Sequence, residues 1–309
     1  MDDNIYLMLQ GRIGNQLFQY AFARTIQKKY KPNSKIIMDD SRILNLGWDN
    51  LLSEYDLPNV EYVHKNIFSG KAFLSYQNLV RTYYRLVTRH MSFQNRYLYE
   101  KKLNEKIGKK GMFICDNGFI DQNINYNNAV YIEGFFQSEK YFETNKEDIV
   151  ELFNRKQFLS NYDYPMIDKI RNRNSVCISV KVEHNVGSSM YSVCGVDYWK
   201  EAIQYIINNV DNPLFFICSD NTDYVLENLI DTSKYDYVVQ DKKSPVHVSL
   251  AAMSECKHFI IGNTTFGWWA QYLSKNPDKI VVAPSKWMAV DMPIDIYQDR
   301  WTLIDVLEE

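Results

Sequence analysis

Polar side chains separate two apolar segments at residues 258–273, which read HFIIGNTTFGWWAQYL. The first four residues are typical of a buried strand, and the last eight have the apolar density of a helix packed on a sheet. Asn263, Thr264 and Thr265 therefore stand at a helix N-terminus, where hydroxyl groups, backbone N–H groups and the helix dipole favour an anion. The pattern predicts that these residues and Phe266 bind a nucleotide diphosphate. The alternative is a threonine that only caps the helix.

A second strand, turn and helix begin the chain. Ile5 to Leu9 predicts a strand, residues 11–16 form the turn GRIGNQ, and a helix follows through about Tyr30. Glycines let a ligand approach the backbone closely, and Asn15 and Gln16 bring side-chain amides to the helix start. The candidate ligand-contacting residues of this turn are Arg12, Gly14, Asn15 and Gln16. A turn with a helix cap and no ligand is equally compatible with this spacing, which is neither GxGxxG nor a P-loop.

From Ser175 onward, short apolar strands alternate with helical segments. This alternation predicts an α/β domain with a parallel sheet covered on both faces. Ligands of such sheets bind outside the carboxyl ends of the strands. Asp220, Asn263 and the region of Lys181 fall at such ends, so we expect them at one edge of the sheet.

Length and composition limit the organisation of the chain. Its 309 residues favour two domains, which we assign to residues 1–160 and 161–309. The composition, 46% hydrophobic and 24% charged, is typical of soluble globular proteins. A net charge of −3 and the lack of a nucleic-acid motif argue against a partner of that class.

The cysteines and the N-terminus predict a cytoplasmic location. The five cysteines are odd in number and have no metal-ligand spacing, and Cys177, Cys218 and Cys256 lie in or beside apolar segments, as reduced core residues do. The acidic start MDDNIYLMLQ does not predict a signal peptide. No segment has the roughly 20 apolar residues of a membrane span.

Residues 71–110 form a basic segment, with ten lysine or arginine side chains against two glutamates and a local net charge of +8. Arg81, Arg85 and Arg89 have the spacing of one helix face, with apolar residues between them. A basic amphipathic helix can lie on an anionic membrane surface, which suggests peripheral contact with the inner membrane face or a lipid-linked acceptor. The alternative is a solvated helix face.

Three motifs resemble those of the α-1,2-fucosyltransferases of glycosyltransferase family 11. They are GRIGNQLFQYAF at residues 11–22, YIEGFFQSEKYF at residues 131–142, and a third that starts with MSECKH at residue 253 and continues through NTTFGWWAQYL to residue 273. Their order and their spread over most of the chain make the resemblance specific. The GRxGNQ turn is also similar to that of protein O-fucosyltransferases.

The resemblance implies an α/β fold of the GT-B class, with two facing Rossmann-like domains and parallel sheets. It implies an acceptor side in the N-terminal domain, a GDP-sugar donor in the C-terminal domain, inversion at the anomeric carbon, and no required metal or cofactor. The implied activity is α-1,2-fucosyl transfer from GDP-fucose to a galactoside hydroxyl of a glycan. Such a reaction belongs to the synthesis of a surface polysaccharide or oligosaccharide.

One departure concerns the donor motif, which is HxRRxD in the family. The aligned residues 179–184 read SVKVEH, so Ser179 replaces the histidine and Lys181 the first arginine. In the family this arginine grips the donor diphosphate, and lysine keeps the charge but lacks the bidentate fork. Ser249 likewise replaces an aspartate that helps to seat the nucleotide.

These departures leave two alternatives to the fucosyl donor: a divergent member that uses another nucleotide sugar, and a sugar- or nucleotide-binding protein without turnover. The lack of GxGxxG argues against a nucleotide-binding oxidoreductase.

Each candidate residue has a place in the implied mechanism. Catalysis rests on stabilising the negative charge of the departing diphosphate, for which Lys181 supplies a cation and the helix behind Thr265 supplies hydrogen bonds. Asn15 is expected to reach the phosphate or the sugar from the opposite domain, and Asp220 to contact the nucleoside. The predicted catalytic residues are Lys181, Asn15, Glu183 and His184, the last two as candidate bases by position alone. The predicted donor-binding residues are Arg12, Gly14, Gln16, Ser179, Asp220, Asn263, Thr264, Thr265 and Phe266.

Overall fold

The computed structural model describes residues 3–67, 75–154, 156–162, 166–182 and 189–306. The chain forms two compact units, Met1–Ile149 with Asp291–Ile296, and Val150–Val290 with Tyr297–Glu309. The main division lies inside a helix, whereas the polar composition after residue 154 predicts a boundary near residue 160. A helix that continues across the division leaves no compositional signal there. The acceptor-side and donor-side roles of the two domains stay predictions.

The first unit is built on a five-stranded parallel sheet with the order β3-β2-β1-β5-β4. Its strands are β1 (Ile5–Met8), β2 (Ile36–Asp39), β3 (Val60–Val63), β4 (Met112–Cys115) and β5 (Val130–Gly134). Its helices are α1 (Ile13–Tyr30), α2 (Ser41–Asn45), α3 (Tyr76–Thr88), α4 (Phe93–Ile107) and the start of α5 (Lys146–Phe153). The strand order runs outward from β1 through β2 and β3, and β4 and β5 occupy the other side. The order therefore reverses between β1 and β5.

Aromatic packing anchors α1 to the segment that follows β5. The Phe22 ring lies 4.6 Å from the Phe136 ring and 4.8 Å from the Tyr141 ring, centroid to centroid. Backbone geometry restricts the sequence at the end of β5, since Gly134 has a φ of +153° and a Cβ there would lie 1.9 Å from the Cys115 carbonyl oxygen. Only glycine fits this position. The end of β5 is thus held closely against β4, and the segment after it is packed on α1.

The second unit contains a six-stranded parallel sheet with the order β11-β10-β9-β6-β7-β8. Its strands are β6 (Asn174–Val180), β7 (Pro213–Ser219), β8 (Tyr237–Val239), β9 (His258–Ile261), β10 (Val281–Pro284) and β11 (Thr302–Ile304). Its helices are α6 (Lys156–Tyr162), α7 (Ile167–Asn172), α8 (Val196–Asn209), α9 (Thr222–Asn228), α10 (Val246–Ser254) and α11 (Thr265–Leu273). Counted from β6, this is the 3-2-1-4-5-6 order of dinucleotide-binding folds, and it reverses between β6 and β9.

Short strands alternate with helices from residue 174 onward, as the apolar runs predict, and β9 has the predicted bounds, residues 258–261. The sequence did not reveal β3 and β11. Both are edge strands with few buried residues, so neither has the apolar run of a central strand. The polar residues that predict a linker after residue 154 form α6 instead, which packs on α10.

The described cysteines are free, and Cys177, Cys218 and Cys256 are fully buried in the second unit, as predicted. Across the described parts of the chain, the helices are too short or too polar to cross a bilayer.

Candidate functional site

Four predicted site residues meet at the carboxyl edge of the second sheet. Lys181 follows β6, Asp220 follows β7, and Asn263 lies just beyond β9. Ser179 is the last residue but one of β6. The Lys181 Nζ is 3.8 Å from the Asp220 Oδ2, and the Gly262 N–H donates to the Ser179 carbonyl at 3.3 Å. These residues flank the reversal between β6 and β9, which is where ligands of doubly wound sheets bind.

Helix α11 begins at the same edge. The Thr264 hydroxyl accepts a hydrogen bond from the Gly267 N–H at 3.1 Å and is the N-cap. Thr265 and Phe266 are half-buried, and their backbone N–H groups have no acceptor among the residues that the structure describes. Such groups can donate to a bound anion. The helix cap and the possible anion contacts of this turn thus belong to different residues. Thr264 caps the helix, and Thr265 and Phe266 offer N–H groups to an anion.

The Asn263 side chain is buried and engaged within the protein. Its Nδ2 donates to the carbonyl oxygens of Tyr191 and Trp287, both at 3.0 Å, and its Oδ1 accepts from the Cys194 thiol at 3.6 Å. Both amide hydrogens are therefore occupied. We infer that Asn263 positions the loops beside the strand ends, and its predicted contact with a donor stays a prediction.

The Lys181 ammonium places a positive charge at the end of β6. Its side chain is 36% exposed, and that of its partner Asp220 is 19% exposed. The Asp220 Oδ1 also accepts from the Val182 N–H at 2.8 Å, which fixes the chain just beyond β6. A partly exposed ion pair of this length contributes less than about 1 kcal/mol, so a diphosphate can compete with Asp220 for the ammonium. The candidate bases Glu183 and His184 lie outside the described residues.

Ser249, the second departure from the family pattern, is buried in α10. Its hydroxyl accepts from the Gln240 Nε2 at 2.8 Å. Gln240 directly follows β8, so this contact joins the strand end to the helix. A neutral pair thus occupies the place where the resemblance implies a nucleotide-seating carboxylate.

In the first unit, the GRIGNQ turn meets the segment after β5. Gly11 has a φ of +73°, and a Cβ there would lie 2.2 Å from the Asn15 Nδ2. The Asn15 Oδ1 accepts from the Gln137 Nε2 at 2.8 Å. This hydrogen bond joins the first and the central motif at the reversal between β1 and β5. Sequence reasoning did not single out Gln137, because only the pairing of β1 with β5 brings it to Asn15.

Gln16 holds this turn from inside. Its side chain is fully buried. The Nε2 donates to the carbonyl oxygens of Gly11 and Asp49 at 3.1 and 3.0 Å, and the Oε1 accepts from the Leu51 N–H at 3.1 Å. Because the amide nitrogen and the amide oxygen are both hydrogen-bonded within the protein, we infer that Gln16 shapes the turn. Its predicted contact with a donor stays a prediction.

The remaining predicted residues of the turn differ in exposure. Arg12 is exposed, and its guanidinium lies 5.9 Å from the centroid of the Trp48 ring. Gly14 is buried in the first turn of α1. Arg12 and the half-buried Asn15 are therefore the members of this set that can meet a ligand.

A carboxylate that sequence reasoning missed stands at the end of β5. The Glu133 Oε2 accepts from the Arg81 Nε, and its Oε1 accepts from the Arg85 Nη2 at 2.8 Å. Burial on its own would raise the pKa of Glu133, but the two guanidinium groups lower it below its ordinary value. The helical spacing of Arg81, Arg85 and Arg89 predicts one basic face, yet Arg81 is buried because Glu133 neutralises it.

A second acidic group lies under the end of β4. The Tyr84 hydroxyl is 2.5 Å from the Glu100 Oε1 and 3.0 Å from the Asp116 Oδ2. A hydroxyl donates a single hydrogen, so one carboxyl must carry a proton and donate to Tyr84. Burial, followed by the Asp116 charge, raises the pKa of Glu100 to about 8. Burial raises the pKa of Asp116 as well.

This shared proton predicts pH-dependent stability. The folded chain keeps a proton on Glu100 that the unfolded chain releases, so the free energy of unfolding is expected to fall as the pH rises from about 4.5 to about 8. The Glu100→Gln variant removes the titration and should flatten the melting temperature across this window. Glu105→Gln, an exposed glutamate on the same helix, is the control and should keep the wild-type slope. Equal slopes in all three proteins would place the proton elsewhere.

The fold and the edge sites define the class of this protein. Two α/β units with parallel sheets, one of them in the dinucleotide-binding order, are the architecture of GT-B glycosyltransferases. The fucosyltransferase NodZ from Bradyrhizobium has a similar structure, with a TM-score of 0.53 over 88% of this chain and 93% of that chain. At 10% sequence identity this likeness concerns the fold alone. The predicted α/β fold of the GT-B class is confirmed.

Residues 4–305 match the model of glycosyl transferase family 11, and the chain therefore belongs to that family. It is 27% identical to the O-antigen biosynthesis glycosyltransferase WbnK of Escherichia coli, over 96% of this chain and 99% of the relative. It is 24% identical to an alpha-1,2-colitosyltransferase of Escherichia coli, over 96% of this chain and 97% of the relative. The predicted enzyme class, a glycosyltransferase of this family, is confirmed.

Proposed function

We propose that the protein is an inverting, metal-independent transferase that moves L-fucose from GDP-fucose to a galactoside hydroxyl of a glycan in surface polysaccharide synthesis. The donor diphosphate binds at the reversal between β6 and β9. The observation that carries this proposal is that Lys181 follows β6 and α11 begins just beyond β9, the strand that pairs with β6, so both stand at neighbouring strand ends. A cation and two N–H groups on rigid strand ends can stabilise the charge of a departing diphosphate.

The first unit supplies the acceptor side in this proposal. Its reversal point carries Asn15, Gln137 and the exposed Arg12, groups that can hydrogen-bond to sugar hydroxyls. The carboxylate of Glu133 is neutralised by arginines, so it is a weak candidate for a base. Glu183 and His184 remain the proposed bases by position.

A second donor is supported by the departures in the donor motif. Lys181 cannot make the bidentate contact of an arginine, and the Ser249–Gln240 pair replaces a carboxylate. Among relatives aligned over nearly the whole chain, one is named as a colitosyltransferase. The second candidate function is therefore transfer of a different sugar, colitose among them, from its GDP-linked form.

Nucleotide binding tests the donor site directly. We expect GDP to raise the melting temperature by about 4 °C when present at about 100 times its dissociation constant. UDP and CDP should give little shift in melting temperature, because uracil and cytosine do not match a site that binds guanine. Guanosine, which lacks the diphosphate, should give much less than GDP. Equal shifts with all three diphosphates would argue against a GDP-sugar, and no shift with any of them would favour a protein without turnover.

A further inference from the structure

Helix α3 presents a row of large apolar side chains to solvent. Tyr76, Leu79, Tyr83 and Leu86 are 44%, 54%, 59% and 69% exposed. Their spacing of three and four residues places them on one face of the helix. The other face carries the buried residues Arg81, Tyr84 and Thr88. We call Tyr76, Leu79, Tyr83 and Leu86 the apolar stripe; such a row is more than the scattered apolar residues of an ordinary surface.

Basic side chains border the apolar stripe on both sides. Arg89 is exposed at the end of α3, and Arg85, whose guanidinium also pairs with Glu133, is exposed one turn before it. Helix α4 packs beside α3 through Tyr99. Lys102 and Lys106 lie three and seven residues after Tyr99, so they share its side of α4, and both are exposed. The surface is therefore an apolar centre between two positively charged margins.

We propose that the apolar stripe and its basic margins dock the protein on an anionic lipid surface. Leucine and tyrosine side chains enter the boundary between headgroups and acyl chains, where tyrosine is especially favoured. Lysine and arginine side chains extend from the same face to lipid phosphates, and each adds attraction to an anionic leaflet. The charge of the margins complements this partner.

The same surface fits a second copy of the chain poorly. α3 has 13 residues, which is short of the three to four heptads of a stable coiled coil. A two-fold contact between two stripes would also bring the basic margins of both copies together. The inference concerns a surface of the first unit, whereas the proposed donor edge belongs to the second, and it holds whether or not the proposed reaction is correct.

Co-sedimentation of the full-length protein with vesicles tests the docking. We expect binding to phosphatidylcholine vesicles that contain about one third phosphatidylglycerol, with an affinity about tenfold or more above that for phosphatidylcholine alone. The double variant Leu79→Gln with Leu86→Gln should lose about tenfold in affinity, since it removes two inserting side chains. Lys102→Gln with Lys106→Gln should weaken binding to the anionic vesicles only. High salt should also weaken binding to the anionic vesicles, because it screens the attraction between the lysines and the lipid phosphates.

The matched control is Leu303→Gln, a leucine 47% exposed on β11 of the other sheet, which should bind vesicles like the wild type. Circular dichroism and melting temperature check that each variant is folded. Equal binding to both vesicle types, or no binding, would overturn the proposal. So would a concentration-dependent dimer that the leucine double variant abolishes while vesicle binding stays absent.

Discussion

Replacement of Lys181 by alanine is expected to lower the rate of sugar transfer by about a hundredfold to a thousandfold, the usual effect of removing one group that stabilises developing charge. The physical reason is the loss of the cation nearest the proposed diphosphate at the end of β6. The melting temperature should change little, because the 3.8 Å contact with Asp220 is partly exposed and weak. Nucleotide release from GDP-fucose, with a panel of galactoside acceptors, measures the rate.

Three variants separate the catalytic role of Lys181 from a structural one. Lys181→Arg should keep most of the activity, since arginine keeps the positive charge and can bind a diphosphate with two hydrogen bonds, as the arginine of the family motif does. Asp220→Asn keeps an acceptor for the Val182 N–H but removes the ion pair. If Lys181 served only that pair, Lys181→Ala would lose no more activity than Asp220→Asn does at saturating GDP-fucose, where the predicted nucleoside contact of Asp220 no longer limits the rate. Lys200→Ala removes an exposed lysine of α8 and should behave like the wild type. A wild-type rate in Lys181→Ala would mean that the donor site is misplaced.

Loss of the Glu133 charge is expected to produce the largest change in stability. Glu133→Gln removes the carboxylate charge that faces the Arg81 guanidinium, whose side chain is 5% exposed. Breaking a buried ion pair by removing one partner costs about 3–5 kcal/mol. Urea unfolding, followed by far-ultraviolet circular dichroism, measures the midpoint.

The chain offers a matched exposed pair for comparison. Lys35 and Glu61 are 3.1 Å apart, with side chains 60% and 50% exposed, so Glu61→Gln should change the free energy of unfolding by less than about 1 kcal/mol. Adding Arg81→Met to Glu133→Gln should recover part of the loss, since it removes the buried guanidinium charge as well. Equal midpoints for Glu133→Gln and Glu61→Gln would show that the buried Arg81–Glu133 pair contributes no more to the free energy of unfolding than the exposed Lys35–Glu61 pair.

The sequence by itself determined the fold class and the family. The apolar run at residues 258–261 is a strand with the bounds that the sequence predicts, because central strands of a parallel sheet are buried on both faces and need continuous apolar residues. The three motifs identified the family, and the turns at Gly11 and Gly262 marked two strand ends. The edge strands β3 and β11 and the helix over residues 156–162 carry weaker patterns, and the sequence did not reveal them.

Only the tertiary structure decided which of the candidate side chains can meet a ligand. Asn263 and Gln16 stand in motifs that predict binding, yet their amides are occupied by neighbouring backbone groups. Lys181 and Asp220 are distant in sequence and become neighbours because β6 pairs with β7. Strand pairing and hydrogen-bond satisfaction depend on groups far apart along the chain, and local residue patterns do not encode them. For the same reason, the spacing of the arginines in α3 did not reveal that Arg81 turns inward to Glu133 while the apolar stripe faces solvent.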